Sequence, residues 1–502
     1  MITVVRSMGL NGIHGFGVTI ECALSGGLPR MDIVGLPDTA VKEAAARVRS
    51  AIKSAGLKFP ASRITINLAP AWARKEGTLY DLPIFLAICA AEGSIPALPE
   101  DCAFIGELSL MGEVRTVRGA LPMALAAASE GVKKLFVPED NAPEAAYAEG
   151  VEIYPVHDTA QLIAHLRGES LISPAETKSY EAKYDCELDF SQVVGQENVK
   201  RALEIAAAGG HNVLMCGSPG SGKSMLAKRL PSILPAMDRR EALETTEIHS
   251  IMGLTGRENP VVSSRPFRAP HHTVSAMALA GGSSKPKPGE VSLAHNGVLF
   301  LDEFPEFRKD ALEVLRQPME DGQVTVSRTS GSETYPSRFM LVCAMNPCKC
   351  GWYGHPSGRC TCTEKSVEQY VSKISGPLLD RIDIFVDVPS VEFAAISQRP
   401  ESETSADIRR RVESAREIQR RRYGDSGTVS NAHMNGDEIK KYCALDEKCT
   451  ALMQGAFDRL GLTARSFDKI LRVARTIADL EGAENIQLNH LAEAIQYKTR
   501  NK

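Results

Sequence analysis

The sequence of 502 residues predicts an α/β protein with a mixed α/β domain first, a parallel α/β domain in the middle and a helical region at the end. Three observations lead to this prediction. β-rich and helical runs alternate through the first 168 residues. An apolar strand, a glycine-rich loop and a helix then follow one another around residue 217. Beyond about residue 404, the patterns are helical throughout.

Composition narrows the classes to which the chain can belong. Its 58 basic and 62 acidic side chains give a net charge of −4, so any nucleic acid would bind through local basic patches. No apolar run approaches the roughly 20 residues of a membrane helix, and the start MITVVRSMGL lacks the features of a signal peptide. We therefore expect a cytoplasmic protein that does not bind membranes and whose twelve cysteines stay reduced.

The first element is a domain over residues 1–168. Its β-rich runs are ITVVRS, GVTIECAL, MDIVGL and RITINLAP, which alternate in part between apolar and polar residues. Its helical runs are TAVKEAAARVRSAIKSAGL and ALPMALAAASEGV, each with a glycine near its C-terminal end. Residues 169–186 are polar and lack a sustained apolar period, which indicates a linker.

The second element opens with a phosphate-binding pattern. GSPGSGKS fits G-x-x-x-x-G-K-[ST] and stands between the apolar strand HNVLMC and the helix MLAKRL, which is the context that the pattern requires. Backbone N–H groups of its glycines would wrap around phosphates, Lys223 would reach the β- and γ-phosphates, and Ser224 would hold Mg²⁺. The predicted ATP-binding residues of this phosphate loop are Gly217, Ser218, Pro219, Gly220, Ser221, Gly222, Lys223 and Ser224.

Two further strands end in polar side chains. GVLFLDEF ends with Asp302, placed for Mg²⁺, and Glu303, placed to orient the attacking water. FMLVCAMN ends in Asn346, which would contact the γ-phosphate or the water, because strand ends in a parallel sheet face the ligand crevice. An asparagine in an ordinary turn before Pro347 is the alternative.

Two arginines later in the chain are further candidates for the ATP site. Arg381 precedes an apolar strand in SGPLLDRIDIFVDV and would add positive charge at the ATP of a neighbouring subunit. A salt bridge with Asp380 or Asp383 is the alternative for this residue. Arg465 opens a helix of the C-terminal region and would close over the γ-phosphate. Arg472 on the same helix competes for that role, and a purely structural role stays open for both.

The motifs GSPGSGKS, GVLFLDEF, CAMNPC, LLDRID and ARSFDKILRVAR together resemble the AAA+ ATPases of the magnesium-chelatase and MCM-helicase group over residues 190–500. With the preceding domain, the whole chain resembles the ComM/YifB family of Mg-chelatase-like proteins. The resemblance implies an AAA+ P-loop core at 187–395 and a helical C-terminal lid at 396–502. It also implies a homo-hexameric ring with ATP bound between subunits.

Residue roles and a substrate are also implied by the resemblance. Asn346 matches sensor 1, Arg381 the arginine finger and Arg465 the sensor 2 arginine. Members linked to natural competence act as DNA branch-migration motors, which implies an ATP-dependent helicase acting on single-stranded or branched DNA. A chelatase-type motor, for metal insertion or for remodelling a protein partner, is the alternative. A nucleotide-gated scaffold without activity is disfavoured by the intact phosphate-loop lysine and strand-end carboxylates.

The first domain resembles the proteolytic domain of Lon-type proteases, which use a Ser–Lys dyad. The matching stretches here are KEGTLYDLPI and VRGALPM, in which the serine position falls on Leu79 and the lysine position on Leu121. A leucine serves neither as nucleophile nor as base. We therefore expect a Lon-like fold without proteolysis.

Four cysteines in CKCGWYGHPSGRCTC form a candidate metal site. Two close pairs separated by a glycine-rich turn can gather four thiolates around a structural Zn²⁺. Reduced cysteines in an ordinary loop are the alternative, because C-x-C is tighter than the usual spacing. The predicted ligands are Cys348, Cys350, Cys360 and Cys362, with His355 as a substitute.

Two inserts are candidates for DNA contacts in the pore of the ring. DGQVTVSRTSGSETYPSRF alternates around TSGS as a β-hairpin does and carries Arg328 beside the turn. A Pro/Gly-rich loop carries Arg265 and Arg268, and basic loop residues suit phosphate contacts. A solvated or subunit-contact surface is the alternative for both inserts.

Overall fold

The computed structural model describes most of the chain, namely residues 2–184, 186–282, 286–328, 331–390, 402–424 and 426–498. The chain forms two compact units. The first unit is Met1–Glu181 together with Arg239–Val262, and the second is Ala182–Asp238 together with Ser263–Lys502. The chain therefore passes between the units at three places.

Strands occur in both units and are, in chain order, β1 (Ile2–Asn11), β2 (His14–Ser25), β3 (Arg30–Val34), β4 (Arg63–Ala69), β5 (Cys102–Phe104), β6 (Glu107–Leu108), β7 (Val114–Arg115), β8 (Lys134–Pro138), β9 (Glu152–Val156), β10 (Val213–Cys216), β11 (Phe267–Arg268), β12 (Val298–Leu301), β13 (Gln323–Arg328), β14 (Gly331–Pro336), β15 (Met340–Met345) and β16 (Ile384–Asp387).

The α-helices of the described residues are α1 (Thr39–Ser54), α2 (Asp81–Ala91), α3 (Ala120–Ser129), α4 (Ala142–Ala145), α5 (Thr159–Leu166), α6 (Glu197–Gly209), α7 (Lys223–Arg229), α8 (Arg239–Ile251), α9 (Ala276–Ala280), α10 (Glu290–Leu293), α11 (Lys309–Glu313), α12 (Arg316–Asp321), α13 (Glu364–Val371), α14 (Gly376–Leu379), α15 (Ser405–Tyr423), α16 (Gly436–Tyr442), α17 (Glu447–Leu460), α18 (Ala464–Leu480) and α19 (Leu488–Gln496).

A seven-stranded sheet in the order β3-β4-β2-β1-β5-β8-β9 is the framework of the first unit. β2 pairs antiparallel with β1 and with β4, whereas the other neighbouring strands are parallel. In β4, Ile64, Ile66 and Leu68 are buried and the residues between them are more exposed, as in a strand with one face on the core. The mixed α/β class predicted for this part of the chain is confirmed.

The two leucines at the predicted dyad positions are both buried in the first unit. Leu79 precedes α2 and is 7% exposed. Leu121 lies in the first turn of α3 and packs with Tyr147 and Leu243. Apolar packing therefore occupies both positions. The absence of proteolysis stays a prediction.

Helix α8 belongs to the first unit although it follows the phosphate loop in sequence. Glu144 of α4 is 2% exposed and joins α8 to the rest of the first unit. Its carboxylate accepts hydrogen bonds from the N–H of Leu121 at 3.0 Å and from the hydroxyls of Ser250 and Thr255, the latter at 2.9 Å. These donors satisfy a carboxylate that burial would otherwise penalise. The sequence analysis placed this segment in the 187–395 core.

A five-stranded parallel sheet in the order β11-β12-β15-β10-β16 is the framework of the second unit. VLFL in β12 and MLVCAM in β15 are buried at every position, as in a sheet covered on both faces. β10 ends at Cys216, directly before the phosphate loop. The C-terminal ends of three adjacent strands, β12, β15 and β10, therefore lie side by side, and the predicted parallel α/β class is confirmed.

Strands β13 and β14 form the predicted β-hairpin, with Gln323 opposite Pro336 and Arg328 opposite Gly331. Hydroxyl pairs line its exposed face, among them the pair of Thr325 and Thr334 at 3.0 Å. Residues 329 and 330 of the turn lie outside the described residues.

The C-terminal part of the second unit is helical, as predicted, and comprises α15 to α19. In α15, Ile408, Val412 and Ala415 are buried on one face, and the arginine-rich remainder is more exposed. Across the described part of the chain, every helix is too short or too polar to cross a bilayer.

Candidate active site

The phosphate loop joins β10 to α7 through glycines in left-handed conformation. Gly220 and Gly222 have φ of +78° and +91°, values that residues other than glycine rarely adopt. Lys223 is 8% exposed, and its ammonium donates to the carbonyls of Gly217 at 2.7 Å and Ser218 at 2.9 Å. Burial lowers the pKa of Lys223. The ammonium of Lys223 thus lies against the phosphate loop, where the phosphates of a bound nucleotide would lie.

Ser224 and Asp302 lie in direct contact, one from the phosphate loop and one from the end of β12. The Ser224 hydroxyl donates to Oδ2 of Asp302 at 2.5 Å, and Oδ1 accepts the N–H of Glu303 at 2.9 Å. A hydroxyl and a carboxylate are the hard oxygen ligands that Mg²⁺ prefers, with water and phosphate oxygens completing its shell. The donor set therefore fits Mg²⁺.

Glu303 has an unusual backbone conformation, with φ of +54°. Strained conformations of this kind cluster at functional sites. Its carboxylate lies 3.1 Å from Nδ1 of His272 and is 58% exposed. The sequence analysis did not place His272 in the ATP site. β11, which leads to His272, neighbours β12, and this adjacency explains the contact.

Asn346 directly follows β15, and its side chain reaches the phosphate loop. Its Oδ1 accepts a hydrogen bond from the ammonium of Lys223 at 3.2 Å. Gln196, which the sequence analysis missed, supports the loop from another side: its Nε2 donates to the carbonyls of Ser221 at 2.7 Å and Pro389 at 3.1 Å. The site thus combines a lysine, a hydroxyl–carboxylate pair and an exposed carboxylate, which suits phosphoryl transfer to water.

Arg381, predicted to act at a neighbouring ATP, and Arg465, predicted to close over the γ-phosphate, contact one carboxylate. Arg381 and Arg465 each place a guanidinium nitrogen 2.5 Å from Oε1 of Glu320. Arg472, the competitor of Arg465, instead donates to the carbonyl of Met434 at 2.5 Å. The sequence around Arg381 and Arg465 contains no pattern from which their contact with Glu320 could have been predicted.

The four predicted cysteines converge in a cysteine cluster, with all Sγ atoms within 4.8 Å of one another. Cys350 lies 3.3 Å from Cys348 and 3.6 Å from Cys360, sulfur to sulfur. Four sulfurs at about 2.3 Å from a tetrahedral Zn²⁺ would lie about 3.8 Å apart. The cluster of Cys348, Cys350, Cys360 and Cys362 therefore fits a thiolate-ligated metal.

The loop that carries the four cysteines, residues 348–362 (the cysteine loop), packs on the phosphate loop. A Cβ placed on Gly351 would lie 2.5 Å from the ring carbons Cγ and Cδ of Pro219. His355, the substitute ligand, instead bonds through Nε2 to the hydroxyl of Ser390 at 3.2 Å, and that hydroxyl lies 2.9 Å from the hydroxyl of Ser218. The cysteine loop is thus in contact with residues that would cradle phosphate.

Two of the three predicted DNA contacts have partners inside the second unit. Arg265 donates to three backbone carbonyls, at 2.6, 2.7 and 3.3 Å. Arg268 forms a bidentate pair with Glu290 at 2.7 and 2.8 Å. The backbone of Arg328 lies in β13, and its side chain is outside the described residues.

Models of magnesium chelatase match successive parts of the chain. The model described as "Subunit ChlI of Mg-chelatase" matches residues 20–141. The model described as "Magnesium chelatase, subunit ChlI" matches residues 189–396, and its C-terminal counterpart matches residues 402–498.

Some relatives match nearly the whole chain, and others match part of it. The competence protein ComM of Haemophilus influenzae is 41% identical over 507 residues, which is 99% of this chain and 97% of that protein. YifB of Salmonella typhimurium is 42% identical over 499 residues, again 99% and 97%. The magnesium-chelatase 38 kDa subunit of Cereibacter sphaeroides is 26% identical over 323 residues, which is 60% of this chain and 88% of that subunit.

Proposed function

The chain belongs to the ComM/YifB family of Mg-chelatase-like AAA+ proteins, and on that premise we propose that it is an ATPase ring motor that moves on DNA. One observation supports ATP hydrolysis: Lys223, the Ser224–Asp302 pair and Glu303 lie together at adjacent strand ends. The DNA part is supported by the full-length relative named a competence protein. Branch migration of single-stranded or branched DNA is the activity that we propose.

The side chains divide the hydrolysis step among them. Lys223 would exchange loop carbonyls for the β- and γ-phosphate oxygens, and Asn346 would help to position its ammonium, from which it accepts a hydrogen bond. Ser224 and Asp302 would hold Mg²⁺, which would supply positive charge at the phosphates. Glu303 orients the attacking water and accepts its proton. Its exposed carboxylate suits a group that must meet water.

We propose that the ATP site is shared between neighbouring subunits of a homo-hexamer. Arg381 and Arg465 lie together on Glu320, which supports a common target for the two guanidinium groups, the ATP of the next subunit. Mixing inactive Arg381→Ala with inactive Lys223→Ala protein should restore turnover, because some interfaces regain both parts. Rings shown to be mixed but still inactive would refute the shared site.

We further propose that the cysteine cluster binds one structural Zn²⁺ and that the hairpin of β13 and β14 contacts DNA through Arg328. Arg265 and Arg268 would have to leave their present partners to meet phosphate. A cytoplasmic location stays a prediction.

One assay tests the motor against the chelatase-type alternative. ATP turnover is measured alone, with single-stranded DNA and with a branched junction, and Lys223→Ala serves as the inactive control. We expect DNA to stimulate turnover. Turnover that no DNA stimulates would favour the chelatase-type alternative. That alternative is supported by the likeness to a chelatase subunit over 60% of the chain.

A further inference from the structure

Glu320 holds both arginines that we propose to serve the neighbouring ATP. Its Oε1 lies 2.5 Å from a nitrogen of Arg381 and 2.5 Å from a nitrogen of Arg465. Hydrogen bonds from Arg381 and then Arg465 lower the pKa of Glu320, so this carboxylate is ionised at neutral pH. Its charge therefore contributes to where both guanidinium groups point.

A second ion pair ties the two arginine-bearing segments together. Lys469 lies one turn after Arg465 on α18, and its ammonium is 2.7 Å from Asp383, two positions after Arg381. The side chains of this pair are only 7% and 9% exposed, so solvent screens it little. Asp383, an alternative partner of Arg381 in the sequence analysis, is thus paired elsewhere. Glu320, with 45% of its side chain exposed, is the more accessible carboxylate.

Glu320 also stands on the helix that leads into the hairpin. It is the penultimate residue of α12, and β13 begins three residues later. Gly322 ends the helix at φ of +65°, and its N–H donates to the carbonyl of Pro318 at 3.0 Å. Its own carbonyl accepts the N–H of Ser337, just after β14, at 2.8 Å. Both strands of the hairpin are thus joined to the turn that follows Glu320.

We propose that Glu320 is a positioning residue that couples the hairpin Gln323–Pro336 to ATP hydrolysis in the neighbouring subunit. The inference rests on the proposed function, in which the hairpin contacts DNA and both arginines act on the neighbouring ATP. Glu320 competes with the triphosphate for the same two guanidinium groups. DNA on the hairpin displaces α12, and Glu320 with it, so that Arg381 and Arg465 turn toward the phosphates.

The test measures ATP turnover of the full-length protein with and without single-stranded DNA. Glu320→Gln removes the charge that retains the arginines. Basal turnover should rise by up to about fivefold, the population shift that an exposed ion pair such as Arg465–Glu320 supports. The ratio of DNA-stimulated to basal turnover should fall to about 1. Glu320→Asp keeps the charge on a shorter side chain and should show an intermediate ratio.

Glu313→Gln is the matched control. Glu313, the last residue of α11, pairs at 2.9 Å with Arg316, the first residue of α12, and the loss of this pair should leave the ratio as in wild type. DNA affinity and the thermal unfolding midpoint are measured in each variant, because a merely structural role for Glu320 would change these quantities rather than the ratio. We expect both to stay at the wild-type values.

The outcomes separate this inference from the proposed function. A folded Glu320→Gln protein that keeps the wild-type ratio, or that lacks basal turnover, overturns the coupling role and leaves the motor standing. If Glu320→Gln does not fold, the ratio in Glu320→Asp decides: a reduced ratio supports coupling, and a wild-type ratio overturns it. Wild-type turnover that no DNA stimulates overturns both proposals.

Discussion

Replacing Gly351 by alanine tests whether the cysteine loop supports the phosphate loop. Gly351 and Gly354 have φ of +86° and +73°, so alanine at either position costs about 1–2 kcal/mol of backbone strain. At Gly351 the added methyl would also lie 2.5 Å from Pro219, whereas no described atom lies within 4 Å of a methyl at Gly354. Because carbon atoms ordinarily pack about 3.5–4.0 Å apart, Pro219 must shift by roughly 1 Å.

A displacement of about 1 Å in an active site can cost about 10²-fold in rate. We therefore expect Gly351→Ala to lose roughly ten- to a hundredfold in kcat/KM for ATP and Gly354→Ala to stay within about twofold. Steady-state turnover and titration with a fluorescent ATP analogue measure the effect, and thermal unfolding shows whether the two variants carry similar strain. Matching ATP kinetics in the two variants would refute the packing argument.

Three further predictions concern the catalytic carboxylate, the metal and pH. Glu303→Gln should bind ATP normally but hydrolyse it at least ~10²-fold more slowly, whereas Glu306→Gln, which loses only a pair with Lys373, should stay active; near-normal hydrolysis by Glu303→Gln would contradict the water-orienting role. Metal analysis should find about one zinc per chain, and active protein free of zinc would rule out the metal assignment. Burial lowers the pKa of His211 to about 4, below its unfolded value of about 6.5, so the unfolded state takes up the proton first and stability falls as pH drops from 6.5 toward 4. His211 should therefore cost about 2 kcal/mol between pH 7.5 and pH 5 in urea unfolding, and His211→Gln should lack this part of the pH dependence; an unchanged pH dependence would contradict it.

The phosphate loop and the strand-end carboxylates could be predicted because their chemistry is local in sequence. Lys223 and Ser224 follow the apolar strand β10, and Asp302 follows the apolar strand β12. Continuous apolar runs of this length are typical of strands in a buried parallel sheet. The cysteine spacing likewise predicted a cluster, which the structure forms. Their catalytic and metal roles stay predictions.

Other features depend on contacts that leave no local pattern. Glu320 and Arg465 are 145 positions apart, and nothing near either residue indicates the other. His272 meets Glu303 only because β11 and β12 are neighbours in the sheet. Helix α2 is buried on all sides, so DLPIFLAICAA shows no helical period in its apolar residues.

The three passages of the chain between its units have a consequence for limited proteolysis. A single cut within residues 171–184 would leave the units joined, because the chain passes again at 238–239 and at 262–263. Helix α8 would stay folded into the first unit through Glu144 while remaining covalently continuous with the phosphate loop. The nicked protein would run as two bands on a denaturing gel and as one species on a native gel. Either unit can be exchanged between homologous genes only if all three junctions are rebuilt.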